Sequence, residues 1–140
     1  MTKSAIYSIV AVLLVVICPF MAFSQTDEAT QQREYKDSIN FSGDIPFEET
    51  DYEGAIFHNT VDFNSKTFPK EVTFKSAHFY DTARFDNCVF ETRTSFHYIT
   101  FEKKVHFQKS QFLDQGRFFG TVFNGESAFN NATFLGDAYF

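Results

Sequence analysis

The chain has no tryptophan and only two cysteines in 140 residues. Cys18 falls in an apolar stretch near the N-terminus that reads as removed on export, which leaves Cys88 alone. A single thiol excludes a disulfide framework within one chain. A lone cysteine could be a reactive thiol or an intermolecular link, but the register derived below turns Cys88 inward as a small core residue. Zinc-ligand spacing, a phosphate loop, a nucleophile elbow and a calcium loop are all missing. So is net charge where it would bear on a partner. Residues 57–140 carry nine acids and nine bases, with no basic footprint for nucleic acid. The acidity is confined to residues 25–56, which hold nine acids and two bases, net −7.

What the chain has in quantity is phenylalanine, 21 residues of it. With one aromatic type used so often, an internal repeat is the first thing to seek. Phe returns at 74, 79, 85 and 90 in FKSAHFYDTARFDNCVF, in steps of five, six and five. Extended both ways, the ladder runs from Tyr52 and Phe57 through Phe63, Phe68, Phe74, Phe79, Phe85, Phe90, Phe96, Phe101, Phe107, Phe112, Phe118, Phe123, Phe129 and Phe134 to Phe140. These are seventeen rungs with a strict eleven-residue period. Phe41 lies on the same ladder, while Phe47 is one residue late, beside Pro46.

An eleven-residue period can mark a right-handed coiled coil. Here it does not, because five helical residues rotate by about 500° and successive rungs would form no seam. Thr, Val, Asn and Gly abound between the rungs, whereas Leu and Ala are scarce, which favours short extended segments joined by corners. The residue two before each rung is uncharged and small or β-branched in sixteen of seventeen cases, Lys66 being the exception. The residue between is often polar, as at Asp62, His78, Arg84, His106 and Arg117. Period-two alternation therefore puts the small residue and the Phe on an inner face and the polar residue outside.

A small-x-Phe unit recurring every five or six residues resembles the pentapeptide-repeat family, in a phenylalanine-rich form with alternating five- and six-residue units. FKSAHFYDTARF and FNGESAFNNATF carry the resemblance, which covers residues 41–140. It implies an all-β fold, a right-handed quadrilateral β-helix with four units and 22 residues per coil. Four interior columns follow: 52-74-96-118-140, 57-79-101-123, 63-85-107-129 and 68-90-112-134. Some members of the family mimic DNA with an acidic rod. The neutral repeats place that role third here, behind a scaffold and behind a fragment of a longer or membrane-anchored repeat protein.

Two segments precede the repeats. Residues 1–24 place Lys3 before an apolar run and end in Ala22-Phe23-Ser24, the pattern of a secretory signal peptide. The alternative is an uncleaved anchor formed by residues 5–23, the one way in which the chain would meet a membrane. The expected location is extracytoplasmic, periplasmic or secreted. Residues 25–40 form a polar leader, with a helix expected near Asp27–Asp37 as a cap or tether.

Outward positions 22 residues apart supply the candidates for function. Asn64, Asp86, Gln108 and Asn130 predict a polar ladder of side-chain amides bonded between coils. His58, Tyr80, Glu102 and Asn124 form another column, but His58 and Glu102 would lie two coils apart, about 10 Å. His78, His97 and His106 share no column, and Tyr80, Tyr98, Phe119 and Tyr139 predict no common stripe for stacking sugars. No catalytic residue, metal ligand or cofactor is expected. The sequence reads as a non-enzymatic scaffold for an unidentified protein partner, without nucleic acid. The bare last rung, Phe140, adds an expectation of self-association through the C-terminal coil, or of a fragment of a longer solenoid.

Overall fold

The computed structural model describes residues 32–41 and 50–140. Residues 1–24, expected to be a signal peptide, and Pro46 and Phe47 lie outside them. The described residues form eighteen strands of two residues each and no helix. The strands are this short because a corner interrupts the chain after every rung. Each can pair only with its equivalents one coil above and below.

Four parallel sheets result, and the chain visits them in order. Sheet I stacks Glu34–Tyr35, Ile56–Phe57, His78–Phe79, Thr100–Phe101 and Val122–Phe123. Sheet II stacks Ile39–Asn40, Val61–Asp62, Ala83–Arg84, Val105–His106 and Ser127–Ala128. Sheet III stacks Thr67–Phe68, Val89–Phe90, Gln111–Phe112 and Thr133–Phe134. Sheet IV stacks Val72–Thr73, Thr94–Ser95, Gly116–Arg117 and Ala138–Tyr139. The registers Phe57↔Phe79, Val61↔Ala83, Phe68↔Phe90 and Thr94↔Val72 each span 22 residues. The molecule is thus a four-sided β-helix with one Phe per side per coil.

The five-six beat is an alternation of corners. Each five-residue step opens with a tight turn, and in seven of the eight the rung's carbonyl accepts from the N–H three residues on, as in Lys66 N–H to Phe63 O (3.2 Å) and Ala77 N–H to Phe74 O (2.9 Å), whereas the Phe96 carbonyl accepts from the Thr121 hydroxyl. The third residue of these turns has positive φ: Gly54, Ser65, Ser76, Asn87, Tyr98, Lys109, Gly120 and Asn131. That is the type II signature, in which the third residue must enter left-handed space. Each six-residue step instead spends its extra residue on a wider bend without that demand.

Inside, the rings stack in four columns. Phe57–Phe79, Phe63–Phe85, Phe68–Phe90 and Phe74–Phe96 have centroids 4.5, 4.9, 4.7 and 5.2 Å apart and interplanar angles of 12° or less. Adjacent columns meet edge to face, as Phe85 does with Phe74 and Phe96. Both arrangements suit the ring quadrupole once the stacked rings are offset. The rungs from Tyr52 to Phe118 are buried, Phe123, Phe129 and Phe134 half-buried, and Phe140 exposed. Small polar residues beside the rungs are satisfied across coils: Cys88 Sγ donates to Phe63 O (3.1 Å), and the Ser110 and Thr121 hydroxyls donate to Phe85 O and Phe96 O. Lys66, the one charged residue two before a rung in the units from Tyr52 to Phe140, is nearly buried.

The leader differs from expectation. Over its described part it is not a helix: Glu34–Tyr35 and Ile39–Asn40 pair with Ile56–Phe57 and Val61–Asp62 and add half a coil below residue 50. Tyr35 stacks on Phe57 at 4.6 Å and Phe41 on Phe63 at 4.7 Å, so the ring columns reach into the leader. Burial of these rings outweighs the weak helix propensity of a polar segment.

Candidate functional site

The polar ladder sits at the tight turns between sheets II and III, where Asn64, Asp86, Gln108 and Asn130 each follow a rung. Two-residue strands leave the N–H at this position without a ladder partner, and side chains supply one. Asn64 Oδ1 accepts from the Asp86 N–H and Asp86 Oδ1 from the Gln108 N–H, both at 2.8 Å. The Asn64 N–H donates to Asp62 Oδ1 at 2.9 Å. The bonds run from side chain to backbone rather than from amide to amide, because the orphaned group is a backbone donor.

On the sheet I side the histidines find partners that a 22-residue spacing hides. His78 Nε2 lies 3.0 Å from Glu102 Oε1, and Asn124 Nδ2 donates to Glu102 Oε2 at 2.8 Å. Glu34 lies 3.7 Å from His58. Both pairs are 24 residues apart, joining the residue before one rung to the residue after the rung of the next coil. His78 stacks on Tyr80 at 4.1 Å, with His58 on the same ring at 5.4 Å. The Asn124 amide, and then the His78 imidazole, hold the Glu102 carboxyl below its ordinary range. The His78–Glu102 pair could move a proton, but among the described residues no third metal-ligating side chain joins it.

A concave feature lies on the sheet IV face, a groove of about 680 Å³ lined by His97, Tyr98, Arg117, Phe119, Tyr139 and Phe140, with Ala138. It arises from the register. Arg117 and Tyr139 are strand neighbours on sheet IV with their side chains outside. His97, Tyr98 and Phe119 belong to the tight turns that follow rungs Phe96 and Phe118. Tyr98 and Phe119 meet edge to face at 5.8 Å, with His97 6.5 Å from Phe119. Three of the four aromatics expected to share no stripe therefore converge on one groove, and Tyr80 alone is elsewhere. They do not occupy equal positions in successive coils: the groove joins strand residues to corner residues.

Two features of the groove stand out chemically. The Arg117 Nε and Nη2 groups both donate to Gln115 Oε1, at 3.2 and 2.7 Å, so a neutral side chain holds the guanidinium. Burial, followed by the positive charges of Arg117 and Lys75, lowers the His97 pKa and favours a neutral imidazole. The Cys88 thiol is remote from the groove and pushed up to about 12 by burial, which keeps it protonated.

Stacked two-residue strands on four sides, filled by one Phe per side, define a pentapeptide-type β-solenoid, a repeat scaffold. The family model described as pentapeptide repeats (9 copies) matches residues 52–100 and 66–111. Residues 52–111 are thus pentapeptide repeats. No curated protein and no solved structure matches it.

Proposed function

We propose that the protein is an exported, non-enzymatic scaffold that holds a protein partner against its outer surface and associates with itself through the coil that ends at residue 140. The observation that carries this reading is how the outward side chains are used. Glu53–Lys75, Lys104–Glu126 and Glu71–Arg93 bridge neighbouring coils at 2.7, 3.0 and 3.9 Å, each 22 residues apart. Part of the charge on the flanks thus serves the rod. Against this, Leu113 and Leu135, at equivalent positions of successive coils, are exposed at one corner, and Phe140 is exposed as well. Exposed apolar side chains grouped in this way suit a macromolecular contact.

Sedimentation of the chain across a concentration series tests the contact. A concentration-dependent dimer that Leu135→Asp abolishes is expected; a monomer at every concentration removes self-association. Mass spectrometry of the exported protein tests the location. A chain starting at Gln25 fits a cleaved signal peptide, and one retaining residues 1–24 makes the protein membrane-anchored.

A further inference from the structure

We propose that the groove on the sheet IV face binds a carboxylated sugar, stacking the apolar face of the ring on Tyr98 and Phe119 and pairing its carboxylate with Arg117. This goes beyond the scaffold reading and does not depend on it.

Tyr98 carries the first argument. It occupies the third position of a tight turn with φ 55°. A bulky residue is costly in left-handed space, where Gly or Asn is at ease. The same position holds Gly, Ser, Asn or Lys in the other seven turns. The Tyr98 ring is nonetheless set in place from below. A Cβ on Gly120, one coil on, would lie 2.6 Å from its Cδ1 and 2.8 Å from its Cε1, so only glycine there lets the ring lie flat. The residue stays 54% exposed, and Phe119 and Tyr139 beside it are 55% and 47% exposed. Folding gains little from this ring, and it is held at some backbone cost. Strain of that kind, where a side chain lines a cavity, points to binding.

Arg117 carries the second. Gln115 fixes one edge of the guanidinium, while Nη1 meets no acceptor among the described residues. No carboxylate among them pairs with it, in contrast to Lys75, Arg93 and Lys104, which pair across coils. A partly buried, pre-oriented guanidinium with a free group is built for a carboxylate.

A sugar fits better than a peptide strand for a reason of backbone. The strand Gly116–Arg117 is bonded to Thr94–Ser95 on one side and Ala138–Tyr139 on the other, so the groove floor offers a chain no unpaired edge. It offers ring faces, a guanidinium and the imidazole of His97 instead. These suit a ligand with one apolar face, a rim of hydroxyls and a negative charge.

The test titrates the whole chain with tri-galacturonate and with its methyl ester, which keeps the rings and removes the charge. Calorimetry reads affinity, and transfer of saturation from the aromatic protons reads stacking. The acid should bind at least about tenfold more tightly than the ester, the scale of one charge-assisted pair. Arg117→Met should erase that preference while still binding the ester. Tyr98→Gly should weaken both ligands about tenfold and melt no lower than the parent, since glycine is suited to its φ. Equal affinity for acid and ester, unchanged binding by Tyr98→Gly, or no saturation by about 10 mM, weaker than any useful site, would each overturn the proposal. So would an acidic peptide that displaces the sugar and binds more tightly.

Discussion

At the scale of single residues the chain makes two opposite bargains. Rungs such as Phe96 sit at 0% exposure, stacked on Phe74 at 5.2 Å and Phe118 at 5.0 Å. Phe96→Ala removes a ring from the middle of a column that cannot collapse without unstacking its neighbours. It should cost about 3–5 kcal/mol, read as a lower midpoint in denaturant at unchanged slope; a loss under about 1 kcal/mol would mean that the column repacks. Turn residues behave in the reverse way. Lys109 holds φ 58° with a side chain that gains nothing from it. Lys109→Gly should leave stability unchanged or raise it by up to about 1 kcal/mol, and Lys109→Val should lower it by more than that. The inward direction of Phe and of Ala77, Ala83 and Cys88 was legible in the sequence. The left-handed positions were also there to be read, in Gly54, Asn87, Gly120 and Asn131 at eleven-residue multiples. The serines, Lys109 and Tyr98 in the same slots masked the signal, because the stacked coils impose a conformation those residues do not seek.

Among the elements, a coil's fit on its neighbour is set at the corners. Asp86 couples three coils by accepting from Gln108 while its own N–H donates to Asn64. Asp86→Ala should cost about 1–2 kcal/mol by leaving the Gln108 N–H unpaired, and Asp86→Asn, which keeps the acceptor, clearly less. Thermal melts of the two variants separate the hydrogen bond from the charge. The 24-residue pairs His78–Glu102 and Glu34–His58 were not legible, since a column search compares like positions and these join unlike ones. The half coil of residues 32–41 was hidden as well. Tyr35 stands in a rung position, but Arg33 occupies the slot where the repeat elsewhere places a small residue.

As a whole molecule the solenoid is a one-dimensional stack whose stability grows with each interface between coils. Its flanks titrate accordingly. The Glu102 and Glu126 carboxyls lie below their ordinary range, held by Asn124 and His78 in one case and by Lys104 in the other. A carboxyl depressed in the folded state contributes stability above its unfolded pKa and loses it as pH falls through the folded value. Melting temperature should therefore decline as pH drops below about 4, near the unfolded value for glutamate. A Glu102→Gln, Glu126→Gln double variant should show a shallower decline. An equal slope in both proteins would show that these exposed pairs contribute nothing to the acid limb.

The sequence by itself determined the period and the inward face, because an aromatic ladder with a small residue two before each rung must turn both to one side of a short strand; the four-sided coil was implied by the family resemblance that the repeats carry. The polar leader's part in the sheets, the alternation of tight and wide corners, and the groove of Tyr98, Arg117, Phe119 and Tyr139 were decided by the tertiary structure. All three depend on what lies one coil away, and stacking brings together residues from unlike positions that no fixed spacing along the chain connects.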